Sequence, residues 1–326
     1  MGGMAVEVVP ATGELLERIL DETFPNWGEG LDRAGYGRYN RAQLGTPWGA
    51  THLRRVALVD DGRLLATAKR YELSGRVDGQ PVRILGLGAV FTPETERGHG
   101  RAGTLLRRLL DEAAAEGFGL ALLFSEIDPR YYEHLGFSRL PIDQVALSVR
   151  PGTRKGTPMI PLRSGDFGDL PSLVEMNAAQ DAGYRFSLAR DTEYIRHAIT
   201  KKRLLAACGR LGHRTVEFLV VEEGGRAAAY AVLFEVGEFA MVTECGDRDP
   251  SGSRVGALLQ AVLARDPSRP LRVRAWWPPD FRPPQVDVVA HEVPPITMMM
   301  RPLGPHVWPD PPLEVSDIRW WHADAF

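Results

Sequence analysis

Cysteine is scarce in this chain: Cys208 and Cys245 are the only two in 326 residues. That excludes a disulfide-stapled scaffold and leaves no metal-ligand spacing, and both thiols suit a reducing compartment. Long apolar runs are missing as well. Nothing approaches the roughly 18 consecutive apolar residues of a helical membrane span, and no charged-then-apolar leader follows Met1. The chain therefore reads as cytoplasmic, with neither a metal nor a membrane among its expected partners. Positive charge is not in excess: 39 Lys and Arg stand against 42 Asp and Glu, a net charge of -3. Such a balance offers no basic footprint for a nucleic acid. No Gly-Lys-Ser or Gly-Lys-Thr is present, which removes a P-loop.

What is present is the composition of an ordinary globular protein of about two domains, with 44% hydrophobic and 25% charged residues. The most informative stretch is 87–106. Val90, Phe91 and Thr92 end an apolar strand, then Arg97, Gly98, His99, Gly100, Arg101, Ala102 and Gly103 form a glycine-rich turn, and Thr104 opens a leucine-rich helix. Glycines let backbone approach a ligand, and the free N–H groups of a helix N-terminus make an anion site, so a phosphate-bearing cofactor is the expected occupant. Gly98, Gly100 and Gly103 fit a dinucleotide spacing, for which Glu126 at the end of the next apolar run would be the acidic partner.

A second pattern runs through the same residues. Arg97-x-x-Gly100-x-Ala102, preceded by Val90-x-x-Pro93, resembles the acyl-CoA signature of the GCN5-related N-acetyltransferases (GNAT). One strand later, Tyr132-Glu133-His134-Leu135-Gly136-Phe137 is similar to the Y-x-x-x-G-F element that ends the acetyl-CoA site in that superfamily. Together the two cover about residues 50–145. The resemblance implies acetyl-CoA as co-substrate, held by the backbone of residues 97–104 with added charge from Arg97 and Arg101. Main-chain groups at Val90 and Thr92 would take the pantetheine arm. It implies further that an amine attacks the thioester directly and that Tyr132, or its neighbour Tyr131, protonates the departing thiolate. A phenol with an ordinary pKa near 10 suits an acid.

For the general base the residues leave alternatives open. Glu126 and Asp128 close the strand beside the cofactor, where they could take an amine proton or form a solvated turn. His99 and His134 read as solvent-facing. The tail Trp320-Trp321-His322-Ala323-Asp324-Ala325-Phe326 is unusually aromatic for a chain end. Either it docks its rings on the scaffold or, as similarity to the enhanced-intracellular-survival type of tandem acetyltransferase implies, the free carboxylate of Phe326 enters the cleft as base.

Strand, helix, acidic-glycine hairpin, strand, loop and helix occur in that order in the first half and again, weakly, in the second. The expected fold is α/β (α+β): two tandem GNAT-like domains, each a mixed sheet with helices on both faces. A catalytic domain over 1–150, a linker over 151–158 and a degenerate second domain over 159–326 with a Pro-rich C-terminal extension are expected. Loop 247–254 has aspartates where the first copy has arginine and glycine, so it should repel a pyrophosphate. Residues 276–312 read as an irregular wrap, and Met298 to Met300 as a buried strand. The acceptor is read as a small-molecule amine, with some likeness to fungal free-lysine N6-acetyltransferases. A protein lysine or N-terminus and a non-catalytic acyl-CoA sensor are the alternatives.

Overall fold

The computed structural model describes residues 6–152, 160–266, 271–304 and 309–326, so most of the expected linker lies outside the described residues. The first elements in chain order are β1 (Glu7–Pro10), α1 (Gly13–Trp27), α2 (Arg33–Leu44), α3 (Pro47–His52), β2 (Leu53–Asp60), β3 (Arg63–Val77), β4 (Gln80–Phe91), α4 (Arg101–Ala115), β5 (Leu120–Ser125), α5 (Arg130–Glu133) and β6 (Ser138–Arg139). Then follow β7 (Gln144–Val149), β8 (Leu162–Ser164), α6 (Leu170–Asp181), β9 (Phe186–Leu188), α7 (Thr192–Ala207), β10 (Arg214–Glu223), β11 (Arg226–Val236), β12 (Phe239–Asp247), α8 (Ser253–Ala264), β13 (Arg272–Ala275), β14 (Val286–Glu292), β15 (Thr297–Pro302) and β16 (Ile318–Arg319).

Two compact units result, and neither is a continuous half of the chain. Unit 1 comprises Met1–Leu140, Pro295–Pro312 and Phe326, and unit 2 comprises Pro141–Pro294 and Leu313–Ala325. The division thus differs from one at 151–158. Part of the stretch expected to wrap irregularly supplies β14 to the sheet of unit 2 and β15 to that of unit 1. Met298, Met299 and Met300 do form a fully buried strand, paired with β5.

In unit 1 the sheet runs β1-β2-β3-β4-β5-β15-β6, with β4 and β5 parallel and the other neighbours antiparallel. Strands place alternate side chains on opposite faces, and each face is covered differently. Val56, Leu58, Ala66, Ala68, Leu85 and Leu87 meet Leu105, Leu106, Leu109 and Leu110 of α4, whose apolar residues recur at helical spacing. Gly117, at φ 83°, ends that helix and lets Phe118 donate back to the Ala113 carbonyl at 2.9 Å. On the other face Ala57, Val59 and Leu64 pack against Ile19 of α1.

Helices α2 and α3 carry no apolar periodicity. Asp32 caps the first by accepting from Gly35 N at 2.6 Å, and Thr46 caps the second by accepting from Gly49 N at 3.0 Å. What α2 buries is largely polar, Tyr36, Asn40 and Gln43, which is why a search for an apolar stripe passes over it.

Unit 2 repeats the plan in a sheet ordered β14-β7-β13-β12-β11-β10-β8. Strands β10, β11 and β12 form an antiparallel run, α8 follows, and β13 lies parallel to β12. Among the described residues no helix is long and apolar enough to cross a membrane.

Candidate active site

The site in unit 1 begins where β4 and β5 stop pairing. Their parallel register runs from Ile84 opposite Leu120 to Leu87 opposite Leu123. Beyond it, β4 continues to Phe91 through an irregularity against β3, with Ala89 at φ 46°. Val90 and Phe91 on one strand and Phe124 and Ser125 on the other therefore do not pair with each other, leaving main-chain groups on β4 for an extended ligand.

Past Phe91 the chain turns into α4. Gly98 and Gly100 sit at φ 78° and 69°, in the left-handed region that favours glycine, and a β-carbon on either would meet nothing within 4 Å. The N-cap of α4, Gly100, offers no side-chain cap, and among the described residues no side chain takes the first-turn N–H groups, which have no partner inside the helix. Arg97 is exposed, with Nε 3.4 Å from the Thr92 carbonyl. Arg101 is turned elsewhere: its Nε donates to Glu96 Oε2 at 3.2 Å, and the same buried carboxylate takes Arg63 at 3.0 Å. That pairing offsets the charge expected from Arg101, which then contributes its backbone. His99 is exposed, as is His134.

Tyr132 lies in α5, buried, with edge-on contacts to Tyr131 at 5.0 Å and Phe137 at 6.2 Å between ring centres. Burial, reinforced by Tyr131 and by the nearby Glu126 carboxylate, pushes its phenol up to about 12, so it is a proton donor across the neutral range. Tyr131 is exposed by comparison. Glu126 is exposed and accepts from Trp27 Nε1 at 3.0 Å. Asp128 accepts from Arg130 N at 3.0 Å and so serves the first turn of α5.

Phe326 belongs to unit 1 and lies on the β4 face opposite α4. Its ring is 4.6 Å from that of Tyr71 and 5.3 Å from that of Phe124. A β-carbon at Gly86 would stand 2.8 Å from Phe326 Cζ, and one at Gly88 would stand 3.3 Å from the terminal carboxyl carbon. Gly86 is therefore required by close approach, and Gly88 is tightly packed. The Phe326 ring thus docks on β3, β4 and β5, with the terminal carboxyl group beside Gly88.

Three side chains that motif reading passes over share this face. Arg55, Lys69 and Gly88 lie in one row across β2, β3 and β4, while Tyr71 stands beside Gly86 in the next row of that face. Burial, together with the Arg55 charge, lowers the Lys69 ammonium to about 7, and Glu29 opposes the shift. Burial alone lowers Arg55 to about 10. The Tyr71 hydroxyl is pushed far up by burial. The signal was in the sequence: cations at 55 and 69 on the non-α4 face of strands whose neighbours are apolar.

The corresponding helix start in unit 2 is closed. Asp247 accepts from Asp249 N at 2.9 Å, Arg254 N at 2.9 Å and Val255 N at 3.3 Å, and Asp249 accepts from Ser251 N at 3.0 Å. A β-carbon at Gly252 would be 2.7 Å from the Phe281 ring.

Residues 40–140 match the family described as an acetyltransferase (GNAT) domain. The chain is similar in structure to a probable N-acyltransferase from Enterococcus faecalis V583, at 13% identity and TM-score 0.66, over 92% of this chain and 73% of that one. It is also similar to Eis1 from Mycobacterium abscessus, at 13% identity and TM-score 0.56, over 91% and 74%. A further similarity is to Saccharomyces cerevisiae N-myristoyltransferase with bound myristoyl-CoA, at 12% identity and TM-score 0.52, over 90% and 82%. No curated protein matches the sequence. The parted β4 and β5 and the glycine-rich start of α4 lie within the residues of the family match: residues 40–140 match an acetyltransferase (GNAT) domain, and the chain has the fold of the N-acyltransferases it resembles.

Proposed function

We propose that this chain transfers acetyl from acetyl-CoA to a primary amine of a small molecule, by direct attack in a ternary complex. The open, uncapped start of α4 supports backbone binding of the CoA pyrophosphate by residues 97–104. Val90, Phe91 and Thr92 would hold the pantetheine arm. The amine nitrogen attacks the thioester carbon, and the tetrahedral oxyanion collapses with cleavage of the C–S bond. Tyr132 gives its proton to the departing thiolate and regains one from solvent.

The amine proton goes to the terminal carboxylate of Phe326. The observation that carries this assignment is the carboxyl group at Gly88, beside the point where β4 leaves β5. Glu126 is the second base candidate, being near enough to raise the Tyr132 phenol. Unit 2 is read as a degenerate scaffold that takes no acetyl-CoA. Free Cys208 and Cys245 suit a cytoplasmic setting.

The test is an added C-terminal glycine, which keeps the Phe326 ring but moves the carboxylate. Turnover, followed by thiol release over an amine library, is expected to fall about 100-fold with the melting temperature unchanged. Undiminished turnover would remove Phe326 as base and leave Glu126. Glu126→Gln is measured beside it.

A further inference from the structure

Arg55 is buried to 4% exposure in the face that carries the Phe326 carboxyl group. Its Nε donates to Thr67 Oγ1 at 3.0 Å, while Nη2 is buried with no hydrogen-bond partner. Lys69 is its cross-strand neighbour, and among the described residues its Nζ makes a long hydrogen bond, 3.5 Å to Gln43 Oε1. Among the described residues no carboxylate comes within ion-pair distance of either cation. Glu29 acts on Lys69 only at longer range, and the Phe326 carboxyl group sits across the row at Gly88.

A buried guanidinium with an unmet donor is costly, and an anionic partner would relieve that cost. Here that partner would enter beside the proposed base. The charges of the row also argue against a purely cationic acceptor, since a second ammonium would meet Arg55 and Lys69. An amine that brings its own anion meets a donor fork matched to a carboxylate. Burial has moved Arg55 and Lys69 the same way, toward their neutral forms, as expected of cations short of a counter-charge.

We infer that the acceptor is an amine bearing a carboxylate, held by Arg55 with Lys69 beside it so that its amino group faces the Phe326 carboxyl group. This deepens the acetyl-transfer reading above and rests on it.

The experiment is a calorimetric titration of matched pairs into the full chain saturated with CoA. Each pair is an amino acid and its decarboxylated amine, such as lysine and 1,5-diaminopentane or β-alanine and ethylamine, with ethanolamine phosphate as a separate arm. The carboxylate-bearing member is expected to bind at least about 30-fold more tightly, the fold-change for one partner of a buried charge pair. Arg55→Gln is expected to erase that difference, and Arg55→Lys to keep part of it. Equal binding within every pair, no binding by any amino acid, or a preference for the phosphate would overturn the inference. The wild-type pairs decide this even if a variant fails to fold. Thiol release with acetyl-CoA is read in parallel: binding without release would sink acetyl transfer and leave the carboxylate site standing.

Discussion

The starts of α4 and α8 have nearly the same backbone, with Gly100 at φ 69° and Gly252 at φ 68° immediately before the helix. Both helices follow a strand that leaves a hairpin, and both lead to a strand parallel to it. What differs is who satisfies the first N–H groups. At α8, Asp247 takes two of the helix's own amides, and the ring of Phe281 lies over Gly252. At α4 no side chain among the described residues does so, and a β-carbon on Gly98 or Gly100 would meet nothing within 4 Å. A helix N-terminus attracts anions in either case, so a carboxylate supplied by the chain converts a ligand site into a structural cap. The aspartates of loop 247–254 repel a pyrophosphate. The geometry adds occupation, because the amides are already used and the approach is covered.

The comparison can be broken first at the chemistry. Tyr132 has no counterpart motif in unit 2, so Tyr132→Phe is expected to lower kcat by about 100-fold or more, with acetyl-CoA affinity little changed. With the phenol near 12, the wild-type rate is not expected to fall through loss of this proton below about pH 11. Retained turnover in the variant would mean that another acid, in either unit, does the work.

Next in size is an attempt to make α4 resemble α8. Thr104→Asp puts a carboxylate in the first turn of α4, and acetyl-CoA binding measured by calorimetry should weaken about tenfold or more through like-charge repulsion. In the wild type the same titration should give one site per chain. A stoichiometry of two would abolish the contrast between the loops. The smallest effect is expected from the reverse change. Asp247→Asn should cost about 1–2 kcal/mol of stability by thermal or denaturant unfolding, through loss of a charged cap. No second site should open, because Phe281 still covers Gly252. A gain of binding would show that Asp247 alone closes the loop.

Much of this organisation was legible along the chain. The hairpin around Asp60, Asp61 and Gly62, the strand ending at Phe91, α4 and β5 all lie where turn chemistry and periodicity put them, within a few residues. The loop residues and Tyr132 are brought to one end of the sheet because they sit on consecutive elements. Helices α2 and α3 were not legible, since α2 buries largely polar side chains, α3 is only six residues long, and both owe their starts to Asp32 and Thr46. The side-chain partner of Arg101 was not legible either, nor the row of Arg55, Lys69 and Gly88, because each depends on pairing between separate strands or segments.

By itself the sequence determined the hairpin, strand, loop and helix order around α4 and, weakly, around α8, the glycine-rich loop before α4, and the absence of its chemistry at 247–254. These follow from turn residues and periodicity, which act over a few neighbours. Tertiary structure decided that β15 joins β5, that Phe326 lies on Gly86 and Gly88, and that Arg55 is buried with its Nη2 unpartnered among the described residues. Those outcomes rest on burial and cross-strand register between residues far apart in the chain, and no local pattern encodes them.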